Sequence, residues 1–135
     1  MRNFKKILIV EDNLEMRTLV ADALKKEGYR VSLAKDGMAM MQALQTERID
    51  LVLLDIMLPG EDGLTLCRNL RAKTDIPVIM LTAKGSELDR VLGLKMGADD
   101  YLAKPIDREE MLLKIRATLT RIELSRTMEQ LVERE

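Results

Sequence analysis

The stretch Leu51–Gly63, LVLLDIMLPGEDG, decides the fold. Four aliphatic residues, Leu51 to Leu54, follow one another without alternation, the pattern of a strand buried on both faces of a parallel sheet. The next residue is a carboxylate, Asp55, and two turn signals, Pro59-Gly60 and Asp62-Gly63, come soon after it. A buried strand that ends on an acid and then turns sharply puts that acid at the rim of a sheet, on a rigid support beside an accessible loop.

Short apolar runs and helix-period segments alternate on both sides of this stretch. ILIV (Ile7 to Val10) reads as a first strand, and Asn13 caps a helix in which Met16, Leu19, Val20, Ala23 and Leu24 share a face before Gly28 closes it. RVSLA (Arg30 to Ala34) is a second, more polar strand, followed by a helix from Asp36 to about Thr46 with Met38, Met41 and Leu44 inward. Leu64, Cys67 and Leu70 mark a third helix, PVIMLT (Pro77 to Thr82) a fourth strand, Ser86 to about Met96 a fourth helix, and DYLA (Asp100 to Ala103) a fifth strand. Asp107 caps a last helix with Met111, Leu112, Ile115, Leu119 and Ile122 inward. Five strands alternating with five helices over short connections predict an α/β, flavodoxin-like fold: a doubly wound parallel sheet in the order 2-1-3-4-5 with helices on both faces. Ligands of such sheets bind beyond the carboxyl ends of the strands where the winding reverses, here between the first and third strands.

Composition narrows the function. The chain has 135 residues, enough for one domain with a substantial core, and its 47% hydrophobic and 33% charged residues suit a soluble globular protein. With 22 basic and 23 acidic residues the net charge is -1, which argues against nucleic-acid binding by this segment itself. The aromatic residues are Phe4, Tyr29 and Tyr101, too few for a base-stacking platform or a flavin sandwich. A lone cysteine, Cys67, forms no internal disulfide, reads as an inert core thiol and suits a reducing, cytoplasmic location. The apolar run after the basic N-terminus is too short for a signal peptide, and no stretch is long enough to span a membrane. The ten methionines read as core filler.

The predicted strand ends carry the chemistry. Glu11 and Asp12 end the first strand, Asp55 the third and Thr82 the fourth, while the fifth runs through Tyr101 into Lys104-Pro105. Three neighbouring carboxylates repel one another, so either protons or a cation must neutralise them. An all-oxygen donor set with room for water suits Mg2+, whereas the absence of histidine disfavours zinc. A magnesium ion, a fixed lysine and a small hydroxyl are what a phosphoryl group needs around its oxygens, and the central carboxylate can be the nucleophile.

The segments ILIVEDN, LVLLDIMLPGEDGL, PVIMLTAK and GADDYLAKP, in that order, resemble the receiver domain of two-component response regulators from about Lys6 to Arg121. The resemblance implies Asp55 as phosphoryl acceptor, Asp12 as a direct metal ligand, Glu11 as a neighbouring acid acting through water, and the backbone carbonyl of Met57 as a further ligand. It implies that Thr82 and Lys104 hold the phosphoryl group, that Tyr101 is the aromatic switch, and that Lys104-Pro105 is cis. The donor would be a sensor histidine kinase or a small acyl phosphate. The domain would be a substrate and switch that assists its own phosphorylation and slow dephosphorylation, not a turnover enzyme.

Individual residues argue against two other classes. A haloacid-dehalogenase-like phosphatase needs a second acid two positions after its nucleophile, where this chain has Met57. A flavodoxin-like electron carrier needs a phosphate-cradling loop after the first strand, where EDNLEM is acidic. GLKMGADDYLAKP and REEMLLKIRATL further resemble the winged-helix, DNA-binding subfamily of response regulators. That likeness implies a phosphorylation-promoted homodimer through the fourth helix, fifth strand and last helix, pairing Arg90 with Glu110, Asp100 with Lys114 and Asp99 with Arg116. Ile106 departs from that subfamily's usual phenylalanine, and RIELSRTMEQLVERE reads as continued helix. Residues 1–121 are therefore expected to form the receiver, and residues 122–135 either a helical extension toward a different, coiled-coil-linked output or the start of a linker to an effector.

Overall fold

The computed structural model describes residues 5–83 and 85–133. Phe4, and Lys84 at the end of the PVIMLTAK segment, lie outside them. The elements are β1 (Lys6–Val10), α1 (Leu14–Lys26), β2 (Arg30–Ala34), α2 (Gly37–Thr46), β3 (Leu51–Asp55), α3 (Gly63–Lys73), β4 (Val78–Thr82), α4 (Glu87–Lys95), β5 (Asp100–Ala103) and α5 (Arg108–Glu133). All strands pair in parallel in the order β2-β1-β3-β4-β5, the arrangement expected from the alternation.

Successive side chains of the central strands point to opposite faces. On one face Leu8, Val10, Val52, Leu54, Val78 and Met80 pack with Met40 and Ala43 of α2 and Cys67 and Leu70 of α3. On the other, Ile7, Ile9, Leu51, Leu53, Ile79 and Leu81 pack with Val20, Ala21 and Leu24 of α1 and Met111, Ile115 and Leu119 of α5. Leu51 to Leu54 are all fully buried. With both faces apolar, a one-residue slip is opposed by the ends of the run, since it would put Asp50 or Asp55 where a leucine now packs.

Polar side chains fix where the helices begin. Asn13, Asp36, Asp62 and Ser86 accept from Met16, Ala39, Leu64 and Asp89 backbone N–H groups, each satisfying an otherwise unpaired donor of a first turn. Gly28, at φ 94°, ends α1: its N–H donates to the Lys25 carbonyl and that of Tyr29 to Leu24.

Several expected faces differ. Met38 is exposed and Met40 is the buried methionine, because the Asp36 cap sets the phase of α2 and turns Met40 and Ala43 toward the sheet. Met41 and Leu44 flank that line. Leu19 is exposed because Val20, Ala21 and Leu24 form the inner line of α1. The methionines are split between roles: Met40, Met80 and Met111 fill the core, whereas Met38, Met57 and Met128 are exposed. Pro77 stands just before β4; without an N–H it cannot donate to the ladder, although its carbonyl accepts from Val52. The last helix continues without a break past Arg121 to Glu133, and its residues 123–133 are exposed.

Candidate functional site

Strand register builds the site. Val10 lies level with Leu54, so Asp55 projects one residue beyond the end of β1, level with Glu11. Asp55 pairs with Leu81, and Thr82 with Ala103, which places the hydroxyl and the chain leading to Lys104 beside the acid. The Lys104-Pro105 peptide is cis. Thus β1, β3, β4 and β5 each deliver a functional group to one rim.

Carboxylate oxygens of Glu11, Asp12 and Asp55 lie within 4.8 Å of one another. Glu11 and Asp55 are buried and Asp12 is exposed. Asp55 Oδ1 accepts from the Met57 N–H at 2.8 Å, and Asp55 Oδ2 accepts from Lys104 Nζ at 2.7 Å. The same ammonium forms an ion pair with buried Glu11 Oε1 at 3.1 Å.

The two buried acids split the proton unequally. Burial, then a hydrogen bond and the charge of Asp55, raise Glu11 to about 7, with Lys104 opposing. Burial also acts to raise Asp55, but hydrogen bonds from Glu11, Lys104 and Met57 outweigh it and hold Asp55 below its ordinary value. Burial lowers Lys104, yet its bonds to Asp55 and Glu11 prevail and raise it. The pocket near neutral pH therefore holds an ionised Asp55, a charged Lys104 and a Glu11 that readily carries a proton. An ionised carboxylate at a rigid strand end is a competent nucleophile.

This donor set fits a hard divalent cation. Its ligands are all oxygen, Asp12 opens it to water, and the Lys104 ammonium is one positive charge set against three neighbouring carboxyls. Met57 lies between Ile56 and Leu58, both buried in the core, while its own side chain is exposed. That alternation holds the Met57 backbone beside Asp55.

Of the remaining predicted residues, Thr82 and Tyr101 stand on β4 and β5 beside the strand of Asp55, whereas Asp99 meets the opposite end of β4 at Val78. Thr82 is buried and donates to the Leu102 carbonyl over a long 3.5 Å. Tyr101 is half-buried, with Lys114 Nζ 4.4 Å and the Arg90 guanidinium carbon 5.5 Å from its ring centre. The six charges expected to pair between copies form these pairs within one chain: Arg90 with Glu87, Lys114 with Asp100 (3.6 Å) and Glu110 (3.5 Å), Arg116 with Glu27 (4.0 Å), and Asp99 with Arg121 (3.0 Å). Sequence reasoning missed Arg121, and no local signal could have found it, because its partner is on another element. Cys67 is buried as expected, and burial raises its thiol.

The fold and this rim define a doubly wound α/β protein with an acid pocket and a paired lysine at the switch point of its sheet. A family model, the response regulator receiver domain, matches residues 7–116. The chain belongs to that family. It is similar to the receiver domain of TorR, a response regulator of the TMAO respiratory system (38% identity, 87% of this chain and 98% of that one, TM-score 0.85). It is similar to a CheY-like receiver domain protein from Methanospirillum hungatei (31% identity, 91% and 99% covered, TM-score 0.83). NtrX from Brucella abortus also matches (30% identity, TM-score 0.90) over 96% of this chain, which spans only 30% of that longer protein. Among the described residues, no helix is long and apolar enough to cross a membrane.

Proposed function

We propose that the domain is a phosphorylation-activated switch that accepts a phosphoryl group on Asp55. The observation that carries the reading is the buried Asp55 carboxylate, kept ionised by Lys104 and the Met57 N–H inside an acid pocket. A sensor histidine kinase supplies the group, since this chain has no histidine of its own. An Asp55 oxygen attacks phosphorus, the phosphorus–nitrogen bond to the donor's imidazole breaks, and an acyl phosphate results. Asp12, Asp55 and the Met57 carbonyl would hold Mg2+, with Glu11 acting through water. The ion would offset the negative charge of the pocket and of the arriving phosphoryl oxygens.

Lys104 exchanges its bond to Asp55 for one to the phosphoryl group. Thr82, weakly held by the Leu102 carbonyl, turns toward the same group, and Tyr101 follows into the space it leaves. The domain is a substrate and switch rather than a turnover enzyme. No nucleic-acid contact is assigned to it, its net charge being -1.

Two outputs are supported by different observations. The charged set Arg90, Asp99, Asp100, Glu110, Lys114 and Arg116 favours the winged-helix subfamily and its two-fold dimer through α4, β5 and α5. The unbroken continuation of α5 to Glu133, with Leu124, Met128, Leu131 and Val132 exposed, favours an output reached through a helical rod.

The test of the central reading is incubation with a small acyl phosphate and Mg2+. One phosphoryl group is expected on Asp55, with no uptake in Asp55→Asn and little in EDTA. Labelling of Asp55→Asn at the wild-type rate would overturn it.

A further inference from the structure

We infer that Glu61 is a positioning residue for the metal site, a tether that holds the loop after β3 in place by binding the start of α2. The inference rests on the function proposed for Asp55. Glu61 Oε2 accepts the Gly37 N–H at 2.7 Å, joining positions 24 residues apart. The fit is close: a Cβ on Gly37 would stand 2.6 Å from Glu61 Oε1 and 2.9 Å from the Leu66 side chain. Gly37 is thus the residue type that lets the carboxylate reach the helix end. The site suits a carboxylate, since the start of α2 presents N–H donors and the positive end of the helix dipole; the Asp36 cap takes the Ala39 N–H and leaves that of Gly37 to Glu61.

The tether acts on the segment that carries Met57. The Glu61 N–H donates to the Leu58 carbonyl at 3.2 Å, and the Gly63 N–H to the Ile56 carbonyl at 3.2 Å, so two nested turns close the loop. Ile56 and Leu58 are sunk in the core on either side of Met57. Glu61 therefore grips the inner turn, which begins next to Met57 at Leu58, while the outer turn closes the base of the loop next to Asp55. Without the grip, the inner turn keeps its own hydrogen bond but loses its connection to α2. Met57 is then free to shift relative to Asp12 and Asp55, and ligand geometry relaxes. Groups behind a metal's direct ligands commonly alter affinity by about 10–100-fold.

Isothermal titration with MgCl2 on the full chain tests this, using Glu61→Ala, Glu61→Gln and the wild type, with urea unfolding as the control for stability. Glu61→Ala is expected to weaken Mg2+ binding by about 10-fold. Glu61→Gln retains an oxygen acceptor for the Gly37 N–H and is expected to remain within about threefold of wild type. That rescue separates a tether from loss of a nearby negative charge, which both substitutions share. Wild-type affinity in Glu61→Ala overturns the proposal, as does a Glu61→Gln variant as weak as Glu61→Ala. Wild-type protein that takes up no Mg2+, tested alongside Asp55→Asn phosphorylation, overturns the underlying function and the tether with it.

Discussion

Raising the pH in the absence of divalent metal should loosen this fold, and Glu11→Gln should remove most of the effect. Glu11 is 1% exposed, and its carboxyl titrates at about 7 in the folded protein against an ordinary 4.5. Because the folded value is the higher, the folded chain holds more protons than the unfolded chain between the two. This group's stabilisation is therefore complete below the unfolded pKa and is lost as pH rises through the folded one. Roughly two and a half pH units at about 1.36 kcal/mol each give a full effect of about 3 kcal/mol. Asp55 works the other way: its depressed pKa gives stability that is present above its unfolded value and is lost as pH falls through its folded one. A comparison between about pH 5.5 and about pH 8 keeps Asp55 ionised and retains about 2 kcal/mol of the Glu11 effect. Urea unfolding in EDTA at those two pH values measures it, with the wild-type midpoint lower at the higher pH. Added MgCl2 should reverse the trend, because the ion replaces the proton on Glu11 and binds more tightly as that proton is lost. A Glu11→Gln variant that loses as much stability as the wild type over this range would refute the placing of the proton on Glu11.

Other consequences follow from the same geometry. Thr82→Ala should still take up phosphate on Asp55 but fail to pass the change to Tyr101; fluorescence or NMR of Tyr101 that responds as in wild type would exclude a relay through the Thr82 hydroxyl. If the domain forms the proposed two-fold dimer, Asp100→Lys should dissociate the phosphorylated form in sedimentation, and adding Lys114→Asp should restore it; an intact Asp100→Lys dimer would place the association elsewhere. Gly63→Ala should destabilise the fold by about 1–3 kcal/mol in urea, because the new Cβ would land against the Ile56 backbone, which cannot swing aside as a side chain can.

The strands were legible in the sequence because continuous aliphatic runs have few alternatives to a sheet covered on both faces. The acid pocket was legible for a related reason: once the strand order is known, Glu11, Asp12, Asp55, Thr82 and Lys104 all fall at carboxyl ends. What stayed hidden depends on phase and on contacts between distant elements. Met38 and Met40 are both plausible inner residues of α2, and the Asp36 cap decides between them by setting where the helix begins. Asp99 shows the second difficulty. Its Oδ2 accepts from the Val78 N–H at 2.8 Å and its Oδ1 from Arg121, so an acid expected to reach another copy is engaged twice at home. The bond from Glu61 to Gly37 is equally silent, since neither neighbourhood carries a mark of the other.

The continuation of α5 has a rotational consequence. Arg121 is held by Asp99 and Glu123 by Lys5, and beyond these two anchors the helix runs on as a solvated shaft. The shaft from Leu124 to Glu133 is roughly 15 Å long at 1.5 Å per residue. A cargo attached to its end would have its bearing, as well as its distance, dictated by the receiver. One inserted residue swings such a cargo by about 100°, whereas seven return it to within about 20° of its starting direction. A fused reporter whose output rises and falls with linker length on that period would show the shaft being read as a dial, whereas a smooth decline with length would mark a tether without a heading.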